Sequence, residues 1–259
     1  MDSALEKQIA TAAHAVEDAR RRAHYDPASI GELIEQMSVL ADLRQKEGDF
    51  RKAESLYREA LFRVQETRKP DQALIAGIWS LIAHLNDRWG RMDEAAKAYE
   101  KALEIGEKHG LHDSDAIATI KNNLAVIFKT LRDNAKAERY YNEALDSFRR
   151  LHGENCAQVA SIYNNLGVLH YSGLDVERAQ EMHEKALAIR QRLGEDQLDP
   201  NDLSQTYINL GAVYKATGDF QKAEECLERA KSLRAANGSY RPRPRRAASL
   251  LIDSAAAWR

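Results

Sequence analysis

Residues 161–186 read SIYNNLGVLHYSGLDVERAQEMHEKA, and their spacing decides the fold. A small residue, Gly167, follows the apolar Leu166. Twelve residues later comes Ala179, and seven beyond that Ala186, with the larger His183 between the two. Large residues stand four and one before the glycine and three after it: Tyr163, Leu166 and His170. Offsets of three and four put them on one face of a helix. The alanines, seven apart, line one face of a second helix. The small residue and the alanines let the two helices approach closely.

The same grammar recurs along the chain. Leu40-Ala41, Ile82-Ala83, Leu124-Ala125 and Leu210-Gly211 repeat the apolar–small step, and the small residues are spaced 42, 42, 42 and 44 apart. The paired alanines recur as Ala53 and Ala60, Ala95 and Ala102, Ala137 and Ala144, and Ala223 and Ala230. Between them stand Tyr57, Tyr99, Tyr141 and Leu227. Turn signals at Gly48-Asp49, Gly90-Arg91, Asp133-Asn134 and Gly218-Asp219 separate the two helices of a copy. Asp26-Pro27, Pro70-Asp71, Asp113-Ser114 and Asp199-Pro200 mark starts of first helices, where Asp caps free N–H groups and Pro is tolerated. The expected fold is all-α, an α–α superhelix of five helical hairpins at about 28–69, 70–111, 112–153, 154–197 and 198–236. In residues 1–27, Ala12, Val16 and Ala19 repeat a second-helix pattern and predict a lone N-terminal capping helix. Terminal repeats need such a cap. The Arg20-Arg21-Arg22 run reads as the solvated end of that helix.

The totals bound the function. The 259 residues carry a formal net charge of -2, with 38 basic and 40 acidic side chains, unlike the strongly basic domains of generic nucleic-acid binders. No apolar run is long enough to span a bilayer. The start, Met1 to Glu6, has neither the basic opening nor the apolar core of a signal peptide, so a cytoplasmic protein is expected. Cys156 and Cys226 are too few for a disulfide framework. We find no phosphate loop and no paired-cysteine metal motif. His109 and His112 flank Gly110 without a third ligand, and His170 and His183 read as packing histidines. No enzyme activity, cofactor, metal or small-molecule substrate is expected.

The pattern resembles the tetratricopeptide repeat over roughly residues 28–236. The 42-residue period, with Asn-Asn-Leu-Ala at 122–125 and Asn-Asn-Leu-Gly at 164–167, looks like the longer-helix repeats of kinesin light chains. Arg44, Asn86 and Lys121 depart from positions that are usually apolar or aromatic. The resemblance implies a protein-interaction scaffold whose first helices line a concave groove.

The candidate site follows from the helical angle. A residue two before the small packing residue turns about 200° away from the partner helix. Asn123, Asn165 and Asn209 stand there in successive copies, with Asn122 and Asn164 preceding two of them. The stripe continues through Lys129, Val168, Tyr171, Gln205 and Lys215. An amide offers donors and an acceptor, so such a column suits the main chain of an extended peptide. In the proteins this sequence resembles, asparagines at the matching place hold the backbone of a bound peptide. Lys129 and Lys215 would favour acids on the ligand, and Val168 and Tyr171 would supply contact area. The competing reading is that the amides bond neighbouring helices or water. In the first two copies the stripe reads Glu35, Ser38, Val39, Asp42, then Ser80, Leu81, His84, Asp87 and Arg88, without an asparagine at the key place. The Lys/Asn/Arg carboxylate clamp of chaperone-binding relatives is also missing, which disfavours a chaperone's acidic C-terminus as ligand.

Residues 237–259 change character. Arg241-Pro242-Arg243-Pro244-Arg245-Arg246 is basic and extended, and Ala247–Trp258 holds Leu250, Leu251 and Ile252. This segment leaves two alternatives open beside peptide capture. One is self-association through the array ends or the tail. The other is attachment to acidic membrane or nucleic acid, which the overall charge makes the weaker.

Overall fold

The structure is a computed structural model that describes residues 3–26, 29–111, 114–193 and 199–236. The expectations for 237–259 lie outside the described residues. Among the described residues the chain forms eleven helices and no strand. α1 (Ser3–Tyr25) stands alone. Five hairpins follow: α2 (Ile30–Glu47) with α3 (Phe50–Gln65), α4 (Gln72–Arg88) with α5 (Met92–Lys108), α6 (Asp115–Thr130) with α7 (Asn134–His152), α8 (Ala157–Ser172) with α9 (Val176–Arg192), and α10 (Pro200–Thr217) with α11 (Phe220–Ala236). The all-α hairpin array behind an N-terminal helix is therefore observed. It divides into two compact units, described over 3–120 and 121–236.

Local chemistry sets the helix starts. Asp49, Asp133, Asp175 and Asp219 each accept the backbone N–H three residues on and cap the second helices α3, α7, α9 and α11. Among first helices, Asp71 caps α4 and Asp199 caps α10 with Pro200 at the opening turn. In the third copy the capping side chain is Ser114, whose hydroxyl accepts from the Ile117 N–H at 3.3 Å. α5 has no side-chain cap. Arg91, at its cap position, lies over the Trp89 ring and pairs with Glu54 at 3.5 Å.

The turn inside each hairpin carries one residue at positive φ: Gly48, Gly90, Arg132, Leu174 and Gly218. Their spacing repeats that of the packing residues. Glycine occupies this left-handed conformation freely, whereas a side chain meets its own backbone there. Two copies tolerate arginine and leucine, so the turn geometry is imposed by the hairpin and not by the local residue. The Asp133-Asn134 signal marks the cap, while the strained residue is Arg132.

In unit 1, α1 packs on α2 and buries Ile9, Ala12, Val16 and Ala19. Of its arginines, Arg21 and Arg22 are exposed at the helix end and Arg20 is half-buried. Arg20 pairs with Glu17 one turn back on the same helix and with Glu59 of the first hairpin, and Arg22 pairs with Glu32 of that hairpin at 2.8 Å. Tyr57 and Tyr99 are fully buried between their alanines. In unit 2, Tyr141 and His183 fill the same position, but Leu227 of the last helix is 42% exposed. α11 also replaces apolar residues by charge. Lys231 stands where Leu61, Leu103, Leu145 and Leu187 stand, and Arg234 where Val64 and Phe148 stand.

Candidate functional site

In unit 2 the stripe expected on the first helices is present on α6, α8 and α10. Leu124, Ala125, Leu166, Gly167, Leu210 and Gly211 are buried, whereas Asn122, Asn123, Asn164, Asn165 and Asn209 are half-buried. The five amides form two short chains of side-chain hydrogen bonds, Asn123–Asn122–Asn165 and Asn164–Asn209. Asn122 Nδ2 donates to Asn123 Oδ1 at 3.3 Å. Asn165 Nδ2 donates to Asn122 Oδ1 at 3.4 Å, joining α8 to α6. Asn209 Nδ2 donates to Asn164 Oδ1 at 3.0 Å, joining α10 to α8. Gln205 Nε2 donates to Asn209 Oδ1 at 3.0 Å and extends the second chain one turn. Part of the bonding capacity of Asn122, Asn164, Asn165 and Asn209 is thus spent on neighbouring helices, which ties the hairpins in register. Among the described residues, Asn165 Oδ1 and Asn164 Nδ2 take no such bond.

The flanking residues do not join these chains. Lys129 is half-buried, and burial pulls its ammonium below the ordinary lysine range. Val168 is half-buried, Tyr171 is 39% exposed, and Lys215 is exposed. They surround the amides with one cation in a partly dry setting, one in water, and two apolar surfaces.

The second layer was not legible from the stripe. His183 is buried on α9 with Nδ1 3.1 Å from Asn164 Oδ1. Burial, with the Arg190 charge adding to it, pushes its pKa down to about 4, so the ring is neutral near pH 7. Gly167 makes room for it. A Cβ at Gly167 would lie 2.5–2.7 Å from the ring atoms. Arg190 is 4% exposed and donates to Asp202 O at 2.8 Å, to Thr206 Oγ1, and to Ser161 Oγ at 3.3 Å. It joins α9 to α8 and α10. The available signal was a charge at a position apolar in the first and third copies, Val64 and Phe148.

Unit 1 offers no such column, and two of its expected stripe residues face inward. Ser38 is buried and donates to Ile34 O at 2.8 Å, and Leu81 is buried in the core. Asp42 is half-buried, within 3.5 Å of the Tyr57 hydroxyl and 3.4 Å of Gln45 Nε2. Burial raises its pKa to about 6 against the opposing pull of Lys46, the Tyr57 bond and Arg88. His84 is shifted down by burial. Among the described residues no group of three or more His, Cys, Asp or Glu side chains is arranged to hold a metal ion, and no helix is long and apolar enough to cross a membrane. Cys156 and Cys226 are free thiols.

Comparison with known proteins matches this architecture. Models of the tetratricopeptide repeat cover residues 34–108, 116–192 and 204–237. The crystal structure of BtubC (BKLC) from P. vanneervenii is 68% identical, with a TM-score of 0.87 over 95% of this chain and 96% of that one. A kinesin light chain-like protein of Podospora anserina with nearly identical TPR-like repeats shares the fold at 17% identity. Its TM-score is 0.66, over 81% of this chain and 98% of that one. A Rap protein complexed with Competence and Sporulation Factor does so at 18% identity, with a TM-score of 0.62 over 85% of this chain and 64% of that one. No curated protein sequence matches. The register of small residues and alanines, the eleven helices and these matches agree: the chain belongs to the tetratricopeptide repeat family and is similar to BtubC.

Proposed function

We propose that this chain is a non-catalytic scaffold that holds an extended segment of a partner protein along the first helices of unit 2. Tetratricopeptide arrays are protein-interaction scaffolds. The observation that carries this reading is the half-buried amide column on α6, α8 and α10, in which Asn164 Nδ2 and Asn165 Oδ1 take no bond among the described residues. A peptide group needs one donor and one acceptor from its receptor, and Asn164 Nδ2 and Asn165 Oδ1 supply them at adjacent positions. Tyr171 and Val168 add contact area, and Lys129 and Lys215 favour a ligand with acidic side chains. Self-association through the last helix is less favoured, since Lys231 and Arg234 charge the surface that another hairpin would cover.

The test uses peptides selected from a random library on the full-length chain. Changing Asn123, Asn165 and Asn209 together to alanine is expected to weaken their binding by at least about a hundredfold, from several hydrogen bonds lost at about 1 kcal/mol each. Circular dichroism must show unchanged helicity. Undiminished binding by the folded triple variant refutes the assignment.

A further inference from the structure

Copy by copy, the second-helix residue facing the small packing residue is Tyr57, Tyr99, Tyr141, His183 and Leu227. The residue three before the small one is Ser38, Ser80, Asn122, Asn164 and Ile208. Asparagine and histidine coincide only in the fourth copy. In the third copy Asn122 coexists with Tyr141, whose buried hydroxyl has no hydrogen-bond partner. A phenol carries its donor at the far end of a long ring, past the asparagine. An imidazole carries a nitrogen one bond from the ring attachment, and here that nitrogen lies 3.1 Å from Asn164 Oδ1.

The same Oδ1 accepts from Asn209 Nδ2 at 3.0 Å. Two donors exhaust the two lone pairs of an amide oxygen. The Asn164 side chain is then held at its oxygen from both sides. Its Nδ2 keeps two protons, with no acceptor among the described residues. Oδ1 cannot donate, so the neutral imidazole must carry its proton on Nδ1. Gly167 completes the arrangement, because the ring lies where an alanine methyl would collide with it.

We infer that His183, seated on Gly167, is a positioning residue that locks Asn164 as an outward donor for a main-chain carbonyl of the bound segment. This rests on the proposed peptide site, but its geometry is testable without a ligand.

The first measurement is nitrogen NMR of the full chain labelled at histidine. A protonated Nδ1 and a bare Nε2 at His183 are expected near pH 7. The opposite tautomer overturns the inference. The second compares three variants with a peptide selected on the wild type. His183→Asn places an amide N–H close to where Nδ1 stood, His183→Gln carries it further out, and His183→Leu removes it. The Leu and Gln variants are expected to bind about tenfold more weakly, and the Asn variant within about threefold of wild type. Equal loss in all three folded variants, or loss in none, overturns the positioning role, since a merely structural histidine gives no such split. If no peptide is selected at all, the peptide reading fails, while the tautomer still judges the His183–Asn164 lock.

Discussion

Units 1 and 2 are built from the same hairpin, yet they treat polar groups on their first helices in opposite ways. In unit 1 the stripe residues Ser38 and Leu81 are drawn inward, and Asp42 is left as a half-buried carboxylate whose hydrogen-bond partners, Tyr57 and Gln45, are neutral and whose burial outweighs the pull of Lys46 and Arg88. In unit 2 the stripe is a run of neutral amides that bond one another across α6, α8 and α10. An amide can be half-buried at little cost because it meets part of its needs through its neighbours and carries no charge, whereas a carboxylate that loses hydration needs a close ion pair to compensate. A repeat can therefore carry a polar face near its core if that face is uncharged and reciprocal.

The largest effect should come from breaking the exchange of Ala/Tyr for Gly/His between the copies. Gly167→Ala drives a methyl into the His183 ring and is expected to destabilise the chain by about 2–3 kcal/mol in chemical denaturation. Adding His183→Tyr restores the pairing of the first three copies and should recover most of the loss. Strict additivity of the two changes would show that the residues are not a matched pair.

Protonation separates the units next. His183 has a folded pKa of about 4 against 6.5 ordinarily, so its stability contribution is present above 6.5 and is lost as pH falls through that value toward 4. Wild type should lose about 2–3 kcal/mol more than His183→Asn between pH 7 and pH 4. Parallel curves for the two proteins would dismiss a buried neutral imidazole. Asp42 runs the other way. Its folded pKa is raised from 3.8 to about 6, so stability is highest below 3.8 and falls as pH rises through 6. With its partial exposure discounted, Asp42→Asn should gain about 1 kcal/mol at pH 7.5 and nothing below pH 4. A loss at pH 7.5 would mean that the charged form is favoured in the folded chain.

The smallest effect lies in the turns. Leu174 sits at φ 65° with 86% of its surface exposed, so replacing it by glycine removes strain without removing packing. Leu174→Gly and Arg132→Gly should each stabilise by roughly 0.5–1 kcal/mol, and Gly48→Ala or Gly90→Ala should destabilise by a similar amount, read from thermal melts. If the glycine variants melt lower than wild type, the left-handed residue is not the strained one.

The hairpins, their order and their packing columns were legible in the sequence, because a two-helix repeat imposes local spacings of three, four and seven, and each spacing has one structural meaning. Ala53 and Ala60 need no tertiary information to be read as a helix seam. The column of Asn123, Asn165 and Asn209 was legible for the same reason, as a direction on a helix. What those amides touch was not, since Asn165 meets Asn122 and Asn209 meets Asn164 across more than forty residues of chain. Nor did the sequence reveal that Ser38 faces inward, that Arg20 and Arg22 are held by Glu59 and Glu32, or that a histidine stands behind Asn164. Periodicity specifies which way a side chain points on its own helix. Which partner waits there depends on how neighbouring helices are set against one another, and that is decided only when the hairpins pack.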